Sequence, residues 1–412
     1  MQDFPLIWDW IGFAIRWLHV ITAMAWIGSS FYFIALDLGL RKAPDLPAGA
    51  QGEEWQVHGG GFYHIRKYNV APAAMPEHLI WFKWESYSTW LSGAALLMVV
   101  YWLGGDLFLL DPAKADLALW QGVALSAGSL TLGWLIYDRL CKSRLGNHPT
   151  ALMILLFILL LAMGYGYDQI FSGRATLLHL GAFTATIMTG NVFFIIMPNQ
   201  RIVVADLQAG RTPDAKYGKI AKLRSTHNNY LTLPVVFLML SNHAPLAFSS
   251  PYNWVIAGLV FLMGVSIRHF FNTKHAGKPA PHWALAIAAF LLIAVMWIST
   301  APLNYESLEA SEARALSTQE QLFAQAEGFE TVADITMGRC SMCHAREPAF
   351  DGIHRAPRGV LLETPADIAR AAKVIYLQAG VTNAMPPANA SFMEAEERLA
   401  IIRWYRAAQA GS

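Results

Sequence analysis

A chain of 412 residues, 55% hydrophobic and only 14% charged, has room for two or three domains and is skewed toward the membrane class. Its 3 cysteines include the closely spaced pair Cys340 and Cys343, which excludes a disulfide framework. A net charge of +1 argues neither for nor against a polyanionic partner, and no nucleic acid is expected as one.

A helix needs about 20 apolar residues to cross a hydrocarbon core of about 30 Å. Runs near 8–36, 79–103, 117–137, 150–168, 175–197, 229–248, 252–271 and 282–301 come close to this, so eight transmembrane helices are expected. No Lys or Arg precedes the first run, whereas Arg41 and Lys42 follow it, so it reads as an uncleaved helix and not a secretory signal. One set of alternate loops carries Arg41, Lys42, Arg66, Lys67 and Lys83, then a further series of basic residues from Arg139 to Lys278; the opposite set carries only Lys114 and Arg174. The positive-inside rule then places the long loops in the cytoplasm and both termini outside it.

The first run contains His19 near mid-bilayer, counting 1.5 Å per helical residue. His179 and His243 fall toward the outer side, and His78, His227 and His269 toward the cytoplasm. Histidines projecting into a bundle are axial-ligand candidates for non-covalent haem b, or else are bonded to a neighbouring helix. "WLHVITAMAWIGSSFYFIALDLGLRK" and "LLHLGAFTATIMTGNVFFIIMPNQR" match as an internal repeat, which divides the membrane part into two four-helix halves. On the cytoplasmic side, His64, Glu85, Gln200, Arg201, Arg224, His227 and Asn228 lie in stretches rich in planar donors, acceptors and aromatic rings. Such stretches suit a flat polar ring, the competing role being headgroup anchoring.

Beyond the last run, residues 304–330 read as a tether and 331–412 as a packed domain. Cys340, Cys343 and His344 form Cys-x-x-Cys-His, the signature of one covalent haem c with a proximal imidazole on iron. A thioether is the expected sixth ligand: Met385 in "NAMPP", followed by two prolines, with Met393 and Met342 as competitors. The metal-ligand set is therefore His344 and Met385, with His19 and His179 for one or two haems b.

The strings "WLHVITAMAWIGSSFYF", "WFKWESYSTWLSG", "MPNQR", "RSTHNNYLTLPV" and "CSMCH…AMPP" together resemble the membrane-integral, cytochrome c-linked urate oxidases of bacteria, over essentially the whole chain. The helix 1 string is also similar to haem-binding four-helix proteins of the protoporphyrinogen oxidase type, which supports His19 as a ligand. The resemblance implies an all-α protein: an eight-helix urate oxidase domain over 1–303 and a periplasmic cytochrome c domain. It implies oxidation of urate to 5-hydroxyisourate at a bacterial inner membrane, with electrons leaving through haem to a respiratory cytochrome c or terminal oxidase. A quinol-oxidising electron-transfer subunit is the alternative. An oxidase with a clustered metal site fits poorly, because the histidines are spread one per helix.

Overall fold

Backbone N–H and C=O groups that meet no water must bond within their own segment, so long apolar runs are driven to helix. The computed structural model describes residues 4–68, 72, 75–103, 108–111, 114–300, 315–353 and 356–410, and its described part is mostly helical. It divides into two compact units, Met1–Asn304 and Tyr305–Ser412.

The first unit opens with α1 (Phe4–Gly39), followed by an antiparallel hairpin of β1 (Ala50–His58) and β2 (Gly61–Tyr68). This hairpin corrects the expectation of an all-α chain. Its turn is Gly59-Gly60, both at positive φ, the geometry a tight two-residue connection requires and glycine adopts without strain. Next come α2 (Trp84–Leu96, continued by a π-helical turn Leu97–Trp102), α3 (Leu119–Lys142) and α4 (Pro149–Asp168). α5 (Gly173–Gly190) runs through a second π turn, Asn191–Ile196, into α6 (Met197–Gln208). α7 (Ala215–Leu240), α8 (Asn253–His275) and α9 (His282–Thr300) complete the unit.

Six of these described helical segments are long and apolar enough to cross a bilayer: Ile7–Gly39, Leu119–Lys142, Pro149–Asp168, Gly173–Gln208, Asn253–His275 and His282–Thr300. The other two expected spans, 79–103 and 229–248, differ in a physical respect. The first is helical only from Trp84, with Glu85 and several hydroxyl residues in its opening turns. The second lies largely within α7, which starts earlier, at Ala215, and is interrupted by polar Arg224, His227, Asn228 and Asn229.

Packing is concentrated around α5, whose inward face is almost wholly buried against α3, α4 and α7. Leu109, Leu177, Leu180, Leu238 and Ile256 are fully excluded from solvent there. Lipid tails are as apolar as these side chains, so close packing and buried hydrogen bonds, more than the hydrophobic effect, hold such helices together. α7 and α8 approach unusually closely where Pro234 meets Gly264: a Cβ at Gly264 would stand 2.6 Å from Pro234 Cδ.

The second unit contains α10 (Thr318–Gln325), α11 (Phe329–Arg339), α12 (Pro365–Arg370) and α13 (Ala395–Ala410). Trp404 of α13 sits at the centre of its core with Val332, Ile368 and Ile401, and its indole N–H donates to Phe323 O at 2.9 Å. α10 is capped by Ser317 and buries Phe323, so packing takes in part of the stretch read as a tether.

Candidate functional site

In the second unit, α11 ends where the haem-attachment motif begins. Cys340 N–H donates to Thr336 O, and Cys343 and His344 N–H both donate to Cys340 O, so one tight turn presents both thiols and the imidazole. His344 Nδ1 lies 2.9 Å from Val360 O. A carbonyl only accepts, so Nδ1 carries the proton and Nε2 keeps its lone pair, the arrangement a metal-binding histidine requires. Burial, then the neighbouring Cys343, pushes the Cys340 thiol up to about 11. The Met385 loop is held by Arg398, whose Nη1 donates to Met385 O at 2.9 Å and Ala379 O at 2.6 Å. Met385 packs partly buried against a core cluster that also includes Cys340. Of its competitors, Met393 is buried in the core and Met342 is exposed. Among the described residues no group of three or more His, Cys, Asp or Glu side chains is placed to hold a metal ion. A free imidazole nitrogen, paired thiols and a thioether on one core fit a covalent haem.

In the first unit the expected haem b ligands differ from one another. His19 Nδ1 donates to Thr89 O at 3.0 Å, with Ser92 Oγ at 3.1 Å, and this leaves Nε2 as the unprotonated nitrogen. His179 is fully buried with Nδ1 bonded to Ala175 O and Nε2 to Ser126 Oγ, each at 2.7 Å. It is a core histidine packed on Phe171 and Tyr167, and neither ring nitrogen is open to a metal. His243 is exposed after α7, and His269 is half-buried beside Trp283. Among the described residues no ring contact joins His19, His179 and His269.

A buried polar network spans α3, the π turn and α7. Arg224, 2% exposed, donates from Nη2 to Asp138 Oδ1 at 2.7 Å and from Nη1 to Asn191 Oδ1 at 3.1 Å. Its guanidinium lies 4.9 Å from the centre of the Tyr137 ring. Asn191 Nδ2 donates to the Tyr137 hydroxyl at 2.8 Å and to Asn228 Oδ1 at 2.9 Å; Asn228 Nδ2 in turn donates to Met188 O at 2.9 Å. His227 Nδ1 meets the Tyr137 hydroxyl at 2.9 Å, while its Nε2 is buried with no partner. A π turn commonly marks a functional position in a helix, and here it places Asn191 at the centre of the network.

Of the expected substrate residues, the structure brings Arg224, His227 and Asn228 together. The others lie apart from that network. Gln200 and Arg201 are exposed on α6, and Glu85 is half-buried in the first turn of α2. His64 pairs with Glu53 at 2.7 Å on the hairpin and stacks on Trp55 with ring centres 4.1 Å apart. Tyr137, Asp138 and Asn191 were missed in the sequence, although a polar side chain in an apolar helix is a signal in itself.

The described architecture is thus that of a mostly helical protein with membrane-length helices and a buried charged network between them. The family model for the N-terminal region of urate oxidase matches residues 5–299, and the chain belongs to that family. Neither a curated protein nor a solved structure matches it.

Proposed function

We propose that this protein is a urate oxidase of the membrane-integral type, which converts urate and water to 5-hydroxyisourate, two protons and two electrons. The observation that carries the reading is the union, in one chain, of a urate oxidase family match over the helical unit and a haem-attachment turn whose His344 Nε2 is free. In this reading α2 and α7 join the six apolar helices to make eight spans. Both termini and the second unit face the periplasm of a bacterial inner membrane.

Cys340, Cys343, His344 and Met385 would hold one haem c, and His19 Nε2 is suited to a haem b. A bound haem would supply one-electron acceptance, and a respiratory cytochrome c or terminal oxidase would be the partner that takes the electrons on. The chain's own residues have the earlier tasks: binding the urate anion, orienting it and accepting its proton. Arg224 is already neutralised by Asp138. The network therefore acts as a rigid strut that fixes α7 against α3 and α5, and so fixes what the opposite face of α7 presents.

The test is an anaerobic optical titration of the full-length protein with urate, following c-type and b-type bands separately. Reduction by urate is expected. Reduction by quinol but not by urate would overturn the reading and make the protein an electron-transfer subunit.

A further inference from the structure

Two arginines are buried in the helical unit, Arg224 at 2% exposure and Arg268 at 5%, and their charges are treated differently. Arg224 has Asp138. Arg268, on α8, forms no ion pair among the described residues. Its Nε donates to Asn229 Oδ1 at 2.8 Å, its Nη2 to the same oxygen, and Nη2 also to Asn272 Oδ1 at 3.1 Å. The Phe31 ring of α1 lies under the guanidinium, 4.3 Å from its carbon. Nη1 has no acceptor among the described residues.

A guanidinium cannot shed its proton in a protein, so the charge stays. Neutral amide oxygens satisfy N–H directions without neutralising the cation, and an unneutralised charge buried between helices is expensive enough to imply a functional partner. The two amides are informative as well. Arg268 offers only donors, so both asparagines must turn their oxygens toward it. Their NH2 groups are left over and donate to nothing among the described residues. Arg268, Asn272 and His275 stand at i, i+4 and i+7, on one face of α8. His275 Nδ1 is buried without a partner. Arg268, the two amides and Phe31 thus bring together a free cationic N–H, two spare amide donors and an aromatic ring, while His275 lies about 10 Å further along the helix with its ring beside Phe271. This set matches a planar anion with carbonyl and N–H groups on its edge.

We propose that Arg268, with Asn229 and Asn272, recognises the urate anion, between α1, α7 and α8 and across α7 from the Arg224 network. The assignment rests on the urate reading and gives it a location. Arg268 Nη1 donates to a urate oxygen and completes its charge balance there, and the two amides donate alongside it.

The experiment uses the full-length protein in nanodiscs, with urate turnover followed through an added one-electron acceptor and binding measured by equilibrium dialysis with labelled urate. Arg268→Gln is expected to raise KM and the dialysis constant about 10- to 100-fold, the size expected for losing charge-assisted hydrogen bonds. Arg268→Lys should fall between. Asn229→Asp guards against simple misfolding, because it supplies Arg268 with a carboxylate inside the protein. That variant should melt at or above the wild-type temperature yet lose urate binding by a similar factor. If Asn229→Asp melts higher and keeps the wild-type KM, Arg268 is a structural cation and the inference is overturned. Urate neither binding to nor being oxidised by the wild type would overturn the functional reading itself, and the inference with it.

Discussion

Replacing Asp138 by Asn tests whether the Arg224 network is a strut. The carboxylate accepts from a guanidinium that is 2% exposed, at 2.7 Å, and is itself largely buried. At an effective dielectric of about 20, two unit charges at that distance attract by roughly 6 kcal/mol before desolvation is counted. Asn keeps an acceptor oxygen but leaves Arg224 as a buried cation without its counter-ion, a loss of about 3–5 kcal/mol. Asp138 also pairs with Lys142, whose side chain is 59% exposed, so that second contact adds at most about 1 kcal/mol. Thermal and denaturant unfolding in detergent, with Lys142→Ala as control, gives the comparison. Asp138→Asn should melt well below wild type, and Lys142→Ala close to it. The double variant Asp138→Asn with Arg224→Met should recover much of the loss, because no lone charge remains. Additive losses, or an Asp138→Asn variant that melts like wild type, would refute the strut argument.

Other outcomes follow from the same geometry. Arg201→Ala and Glu85→Gln, which lie outside the network, should each change the KM for urate less than Arg268→Gln does; equal effects would restore the opening turns of α2 and α6 as the binding place. On the proposed reading, in which Met385 is the sixth ligand of a haem c, Met385→Ala should lower that haem's reduction potential, measured by redox titration. Met393→Ala, at a core position 4% exposed, should cost about 2–5 kcal/mol of stability and leave the potential alone. On the hairpin, hydrogen bonds first from His64 and then from Arg66 hold the Glu53 carboxyl below the usual carboxylate range. A depressed carboxylate stabilises above its unfolded pKa and stops doing so as pH falls through its folded one. Hairpin amides should therefore lose hydrogen-exchange protection in acid, and Glu53→Gln should remove that pH dependence; an unchanged dependence in Glu53→Gln would contradict it.

How far the sequence could be read depended on how local each feature is. Cys340, Cys343 and His344 announce themselves because their spacing lies within one turn. Apolar length likewise announces α4 and α9. The hairpin is legible in the Gly59-Gly60 pair flanked by aromatic and β-branched residues, but the signal is short beside the long apolar runs on either side. Arg224, His227 and Asn228 were visible as polar residues at the entry of an apolar run. Their partners Tyr137 and Asn191 stand 90 and 33–37 positions from the residues they bond, a pairing no local pattern encodes. Arg268 shows the limit best. Counted by charge alone it belongs with the cations of the more basic set of loops, yet α8 continues to His275 and buries it among amides.

α7 is where these readings meet, because successive residues on it face different helices. Asn228 bonds toward α5 and the π turn, while Asn229 bonds toward Arg268 on α8. The α7–α8 spacing is set one turn from Arg268, where Gly264 meets the rigid Pro234 ring. Gly264→Ala would place a methyl 2.6 Å from Pro234 Cδ, and a proline ring cannot swing aside, so the helices must separate. Overpacking of this kind costs about 1–3 kcal/mol, and here the strain falls on the Arg268–Asn229 contact. Gly264→Ala should therefore lower the melting temperature modestly and raise the KM for urate. Ala288→Gly, on the buried face of neighbouring α9, serves as the control: it should lower stability while leaving KM in place. If Gly264→Ala lost stability with an unchanged KM, the α7–α8 spacing would be only a packing feature, and the proposed dependence of urate binding on the Arg268–Asn229 contact would fall.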